Sequence, residues 1–225
     1  YRLSKGPVIV ELINPLTRKP ESIRLSRGVF GERLRMMLYD RAPASLVPLL
    51  IHRAYQGDFR PFILAALPQA RGIYQSLSLG MYFSVTCSED IPFITEEEVR
   101  RETKDTFLTD YRVRVHQAAC REWPRSSVPR KFIEAVNADA PVLLLSGEVD
   151  PASPHWLGAE VARHLPNSLQ VTVPYGGHGY LSSCLNAITA EFIAGGTVKG
   201  LNTSCLEGTK RPPFVTTLPA PLSQG

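Results

Sequence analysis

No stretch of this sequence approaches the roughly 20 consecutive apolar residues needed to cross a bilayer. Its longest candidates, Leu46 to Ile51 and Val142 to Leu145, are far too short, so no membrane span is expected. An excess of one charge is also missing. The formal charge is only +4, and the Lys and Arg residues are scattered among 21 acidic ones. Tracking a phosphate backbone needs a concentrated basic surface, so a nucleic-acid partner is excluded from the expectations. No CxxC pair is present, and His52, His116, His155 and His164 show no metal-ligand spacing. Neither a metal nor another cofactor is therefore expected. An initiating Met is absent too: the sequence opens on Tyr1 in mid-pattern, without a charged and apolar leader. It reads as a processed or truncated product, in which a missing leader says nothing about export.

What is present suffices for a folded core. The 225 residues are 44% hydrophobic, enough for one substantial core or for a core with a smaller subdomain. Four cysteines, Cys87, Cys120, Cys184 and Cys205, are spaced to suit two disulfides, Cys87 with Cys120 and Cys184 with Cys205. Each would close a loop worth about 3 kcal/mol in the chain-entropy model. Four buried free thiols are the alternative; disulfides would mean an oxidising, secreted or periplasmic location.

The pattern of apolar residues changes along the chain. Val8, Val10 and Leu12 alternate with other residues, Asn14 to Pro20 supplies turn formers, and Ile23 and Leu25 resume the alternation, which predicts a hairpin. Helical spacing follows. Ser26 can cap a helix with Phe30, Leu34, Met37 and Leu38 on one face, and Ser45 can open another with Leu46, Leu49, Leu50 and Ala54, ended by Gly57 and Asp58. Thr95 and Glu98 have capping-box spacing, and a helix through Tyr111, Val115 and Ala118 should stop before Pro124. The run Trp123 to Pro129 reads as a subdomain boundary. Val142 to Leu145 then has the unalternated apolar character of a parallel strand buried on both faces. Ser153 and Pro154 can start a helix bearing Leu157, Val161 and Leu165. Leu169 to Val173 is a second strand, followed by a helix with Leu185, Ile188 and Phe192 that Gly195 and Gly196 close. Strand, helix, strand, helix implies a parallel α/β sheet, of which two strands are too few to be stable alone.

Functional side chains of open parallel sheets gather at the carboxyl ends of the strands. Asp150 lies there after the first strand, in Leu-Ser-Gly-Glu-Val-Asp-Pro, and His178 after the second, in Tyr-Gly-Gly-His-Gly-Tyr. Gly176, Gly177 and Gly179 would let that loop bend sharply. A carboxylate that holds one imidazole nitrogen protonated leaves the other free to take a proton from a serine hydroxyl. Asp before His, on loops after successive strands, is the order used by α/β-hydrolases, with the serine earlier. Either residue alone would read as a turn-capping Asp or a surface His.

The sequence resembles the secreted prolyl iminopeptidase and tripeptidyl aminopeptidase-like α/β-hydrolases over essentially its whole length. The likeness is carried by Pro-Val-Leu-Leu-Leu-Ser-Gly-Glu-Val-Asp-Pro at 141 to 151, His-Leu-Pro-Asn-Ser at 164 to 168, Gly-Gly-His-Gly at 176 to 179, and Cys184 with Cys205. It extends through Leu38-Tyr39, the segment Leu49 to Phe59, Ser84-Val85-Thr86-Cys87-Ser88-Glu89-Asp90 and Cys120-Arg121-Glu122-Trp123-Pro124. It implies the C-terminal part of an α/β-hydrolase parallel sheet with an inserted, mostly helical lid: residues 1–135 as the lid and 136–225 as the segment carrying the triad acid Asp150 and base His178. It further implies a peptide substrate with a free N-terminus, cut through an acyl-enzyme. Carboxylates in the lid would hold the substrate ammonium, with Glu89 and Asp90 as candidates, although a turn that caps the next element is their plainer reading.

The nucleophile elbow, Gly-x-Ser-x-Gly, has no complete match. Ser78, in Ser-Leu-Ser-Leu-Gly, keeps only the trailing glycine and follows no clear strand. The serine is therefore expected upstream, in an N-terminal half of the same hydrolase that becomes this chain's partner, and the chain alone is expected to be inactive. An esterase or acyltransferase of the same fold, or a non-catalytic interaction module, are the alternatives. Trp123 and Trp156 could line a cavity but more often pack at such junctions, and Asn202-Thr203-Ser204 fits an N-glycosylation sequon.

Overall fold

The structure, a computed structural model, describes residues 2–14 and 17–223. Pro15 and Leu16, inside the predicted turn Asn14 to Pro20, lie outside the described residues. The chain divides into two compact units. One comprises Tyr1–Met36, Leu49–Glu134 and Thr217–Gly225; the other comprises Met37–Pro48 and Ala135–Thr216.

The first unit begins with the hairpin, β1 (Val8–Ile13) antiparallel to β2 (Pro20–Leu25), in a register that sets Val8 opposite Leu25 and Ile13 opposite Pro20. Alternation decides its inner face: Val10, Leu12 and Leu25 are buried while Ile9 and Ile13 are exposed. Helix α1 (Arg27–Met37) starts where expected, the Ser26 hydroxyl accepting the Val29 amide at 3.2 Å. Its Phe30 stacks on the fully buried Phe62 at 4.2 Å between ring centroids, with Phe59 and Phe107 meeting it edge-on. Leu38 lies past the helix end and is exposed.

Helix α2 (Arg41–Gln56) starts four residues before Ser45. The Asp40 carboxylate accepts the Ala42 amide at 3.1 Å, and Ser45, inside the helix, donates its hydroxyl to the Ala42 carbonyl. An earlier acidic cap therefore displaces the predicted one. Helices α3 (Arg60–Ser76) and α4 (Leu79–Val85) had no separate signature in the pattern. From α4 the chain widens into a π-helical turn, Thr86–Asp90, and then tightens in a 3₁₀ turn, Ile91–Phe93. Cys87 in that turn is bonded to Cys120 in α6 (Tyr111–Glu122), and both are buried. Helix α5 (Glu96–Thr103) carries the capping box: the Thr95 hydroxyl accepts the Glu98 amide and the Glu98 carboxylate accepts the Thr95 amide.

The second unit holds the parallel pair, β3 (Val142–Gly147) beside β4 (Ser168–Val173), registered from Val142 opposite Ser168 to Gly147 opposite Val173. Helix α7 (His155–Ala162) connects them and α8 (Ser183–Gly195) follows. The short α9 (Ala220–Ser223) belongs to the first unit. The second unit's core is Val171, Val173, Leu185, Ile188 and Leu206. Cys184 at the start of α8 is bonded to Cys205, their Cα atoms 5.9 Å apart. Ser182 caps α8 through the Leu185 amide, and Gly196 ends it with φ of 61°.

Two expectations fail in this unit. The strand β3 is not buried on both faces, since Leu145 is 46% exposed. Nor does Ser153 cap α7: the residue at the cap position is Pro154, and Leu157 and Val161 are about half exposed on the helix surface. Only two strands make up this sheet among the described residues, so an apolar run selected for burial has one neighbouring strand rather than two.

Candidate active site

Backbone hydrogen bonds zip the loops after β3 and β4 together before any side chain is considered. The Glu148 amide donates to the Val173 carbonyl at 3.0 Å and the Val149 amide to the Gly176 carbonyl at 3.0 Å. The Glu148 carboxylate accepts the Tyr175 amide at 2.7 Å. This approach is possible because Gly147 has no side chain: a Cβ there would run into the Gly176 and Gly177 carbonyls. Gly177 is equally restricted, since its Cβ would collide with the Tyr39 carbonyl, while Gly179 is needed for its φ of 64°. The glycines around His178 thus act mostly through close approach rather than through bending.

Asp150 and His178 meet in this frame. Nδ1 of His178 lies 3.0 Å from Oδ2 of Asp150. The Asp150 side chain is 5% exposed and that of His178 43%, so the acid is shielded and the imidazole is reachable. Burial pushes the Asp150 carboxyl up, but the Ala152 amide, His178, and the Ser153 amide and hydroxyl together outweigh it and hold the group below the ordinary carboxylate range. An ionised carboxylate only accepts, so the imidazole proton sits on Nδ1. Within this unit no hydrogen bond reaches Nε2, which in the neutral ring is then free to accept a proton.

Two residues that the sequence pattern did not single out for this site complete it. Ser153 donates its hydroxyl to Oδ2 of Asp150 at 2.9 Å, while Oδ1 accepts the Ala152 and Ser153 amides at 2.7 and 3.1 Å. An Asp followed by a Ser three places later in a turn was the available signal, because such side chains commonly bond the backbone ahead of them. Tyr39 accepts the His178 amide through its carbonyl at 2.9 Å, and its ring lies 4.7 Å from the imidazole, tilted by 52°. They are 139 positions apart in the sequence, so local pattern holds no trace of that contact.

Glu89 and Asp90 belong to the other unit, at the end of the π-helical turn. Glu89 is half-buried and Asp90 exposed, and Asp90 makes no side-chain cap to the following turn. Cys87, Cys120, Cys184 and Cys205 form the two disulfides described above, which fits an oxidising compartment. Among the described residues no helix is long and apolar enough to cross a membrane, and no group of three or more His, Cys, Asp or Glu side chains could hold a metal ion.

Residues 105–205, from just before α6 to Cys205, match the family model described as TAP-like protein, of the α/β-hydrolases. Over that stretch the chain is similar to TAP-like proteins. That segment contains β3, α7, β4, α8 and the Asp150–His178 pair. No curated protein and no solved structure matched the chain.

Proposed function

We propose that Asp150 and His178 are the acid and base of a serine hydrolase whose nucleophile comes from outside residues 1–225, and that the enzyme removes N-terminal residues or short peptides. One observation carries this reading: a buried carboxylate oxygen 3.0 Å from Nδ1 of a reachable imidazole, both on loops that leave the carboxyl ends of adjacent parallel strands. In this reading the serine oxygen attacks the substrate carbonyl carbon while its proton passes to Nε2 of His178. The imidazolium, steadied by Asp150, returns that proton to the leaving amine nitrogen as the amide bond breaks. A water then hydrolyses the ester by the same route and frees the serine.

The lack of any Gly-x-Ser-x-Gly turn in the sequence supports an external serine, delivered by an N-terminal half of the same hydrolase. Exposed Leu145 on β3, with Trp156, Leu157 and Val161 on α7, supports a sheet that continues onto that partner. We assign residues 1–135 to the lid and 136–225 to the hydrolase segment, a division supported by the boundary between Glu134 and Ala135, with Met37–Pro48 of the lid range belonging to the second unit. Glu89 and Asp90 enter no ion pair among the described residues, which suits them to a substrate ammonium group. A cavity of about 80 Å³, lined by Leu38, Val149, Tyr175 and Phe214, adjoins the two loops and suits an apolar substrate side chain. Two disulfides suit a secreted or periplasmic enzyme.

A fluorophosphonate probe, which marks only an activated serine, tests the reading on the full-length protein. Labelling abolished by His178→Ala is the expected result; labelling that survives that change removes His178 from the mechanism.

A further inference from the structure

The Ser153 hydroxyl has no part in capping α7, and its surroundings give it another role. Its oxygen lies 2.9 Å from Oδ2 of Asp150 and 3.4 Å from Nδ1 of His178, which is itself 3.0 Å from the same Oδ2. Three polar atoms therefore form a closed triangle, with the carboxylate oxygen at one corner. A hydroxyl has one proton to give, and two acceptors compete for it. Donated to Oδ2, it leaves Nδ1 protonated. Donated to Nδ1, it would require that nitrogen to be bare and would move the ring proton to Nε2, the wrong tautomer for accepting a proton there.

We infer that Ser153 is a positioning residue for the Asp150–His178 pair, its hydroxyl sharing Oδ2 with the imidazole and so setting both the ring's tautomer and its basicity. The ionised carboxylate is the stronger acceptor, and it keeps the hydroxyl proton. By taking part of the negative charge on Oδ2, the hydroxyl also weakens the hold of Asp150 on the imidazolium. Ser153 thus keeps His178 from being trapped in its protonated form. The lowered pKa of Asp150, to which the hydroxyl contributes, agrees with this arrangement. Ser153 is exposed as a residue and lies in a loop, so replacing it leaves the core packing intact.

This inference rests on reading Asp150 and His178 as an acid–base pair, and its test does not depend on catalysis. Proton and nitrogen NMR of the full chain would follow the His178 ring through a pH titration in the native protein, Ser153→Ala, Ser153→Thr and Ser153→Val. Thr keeps the hydroxyl and Val is its isostere without one, so the difference between them isolates the oxygen. We expect the His178 midpoint to rise by about half a pH unit in the Ala and Val variants and to stay near the native value in the Thr variant. Equal midpoints in the Thr and Val variants would overturn the inference, even if a merely structural effect lowered stability in both. In the full-length enzyme the acid limb of kcat/KM should rise by the same amount in the Ala and Val variants and stay in place in the Thr variant. A protein that fails to label with fluorophosphonate yet shows the Thr–Val difference would sink the proposed hydrolase while leaving the Ser153 role standing.

Discussion

At the scale of single residues, Asp150 is the group whose surroundings matter most. Four donors converge on its two oxygens, and they outweigh the cost of burial. Its folded ionisation therefore lies below the unfolded value of about 3.9, so the stability it contributes is fully present above that pH and disappears as pH falls through the folded value. Acid unfolding followed by near-UV circular dichroism should show this: Asp150→Asn should flatten the stability profile below about pH 4 relative to the native protein. If the two profiles run parallel there, the carboxylate is not held as its contacts indicate. For catalysis, the same change in the full-length enzyme should lower kcat by about 10⁴, because an amide in place of the carboxylate favours the wrong imidazole tautomer. Elsewhere Glu96 is drawn down to about 2 by Arg114 and Gln117 on a solvent-facing helix pair, a shift with no bearing on the site. Asp150 and His178 were legible from the sequence because each lies in the short loop that follows an apolar strand. Ser153 was legible as a polar turn residue, but which neighbour it would bond was not.

At the scale of elements, the loops after β3 and β4 form one structure whose closeness depends on missing side chains. Gly177 passes so near the Tyr39 carbonyl that any Cβ must push the loop away, and His178 is the next residue. Gly177→Ala should therefore cost about 1–3 kcal/mol by overpacking and weaken the His178 Nδ1 contact with Asp150. Chemical denaturation would read the first effect, and loss of the low-field Nδ1 proton signal the second. A variant with native stability and an unchanged proton signal would show that the loop yields without consequence. Elements with strong local signals were legible: the hairpin through its alternation, α5 through its capping box, α8 through Ser182 and Gly196. Helix α2 began earlier than its pattern indicated because Asp40 offered a better cap than Ser45. For α7 the periodic Leu157 and Val161 pointed to a buried face, yet both stand half exposed, since spacing records which side is apolar and not what covers it.

At the scale of the whole molecule, the chain pairs a stretch that matches the TAP-like family model with a sequence that holds no nucleophile elbow. Residues 1–225 alone should show no turnover of aminoacyl or ester reporter substrates, and turnover abolished by His178→Ala would contradict this. The sequence by itself determined the α/β alternation, the spacing of the cysteines that became two disulfides, and the positions of Asp150 and His178 at strand ends. Those features depend on residue type and short-range periodicity, which are written locally. Only the tertiary structure decided that the two loops join through Gly147 and Gly176, that Ser153 bonds Asp150, and that Tyr39 supports His178 across 139 residues of chain. Such contacts arise when distant segments are packed together, and the free energy that selects them belongs to the assembled fold rather than to any stretch within it.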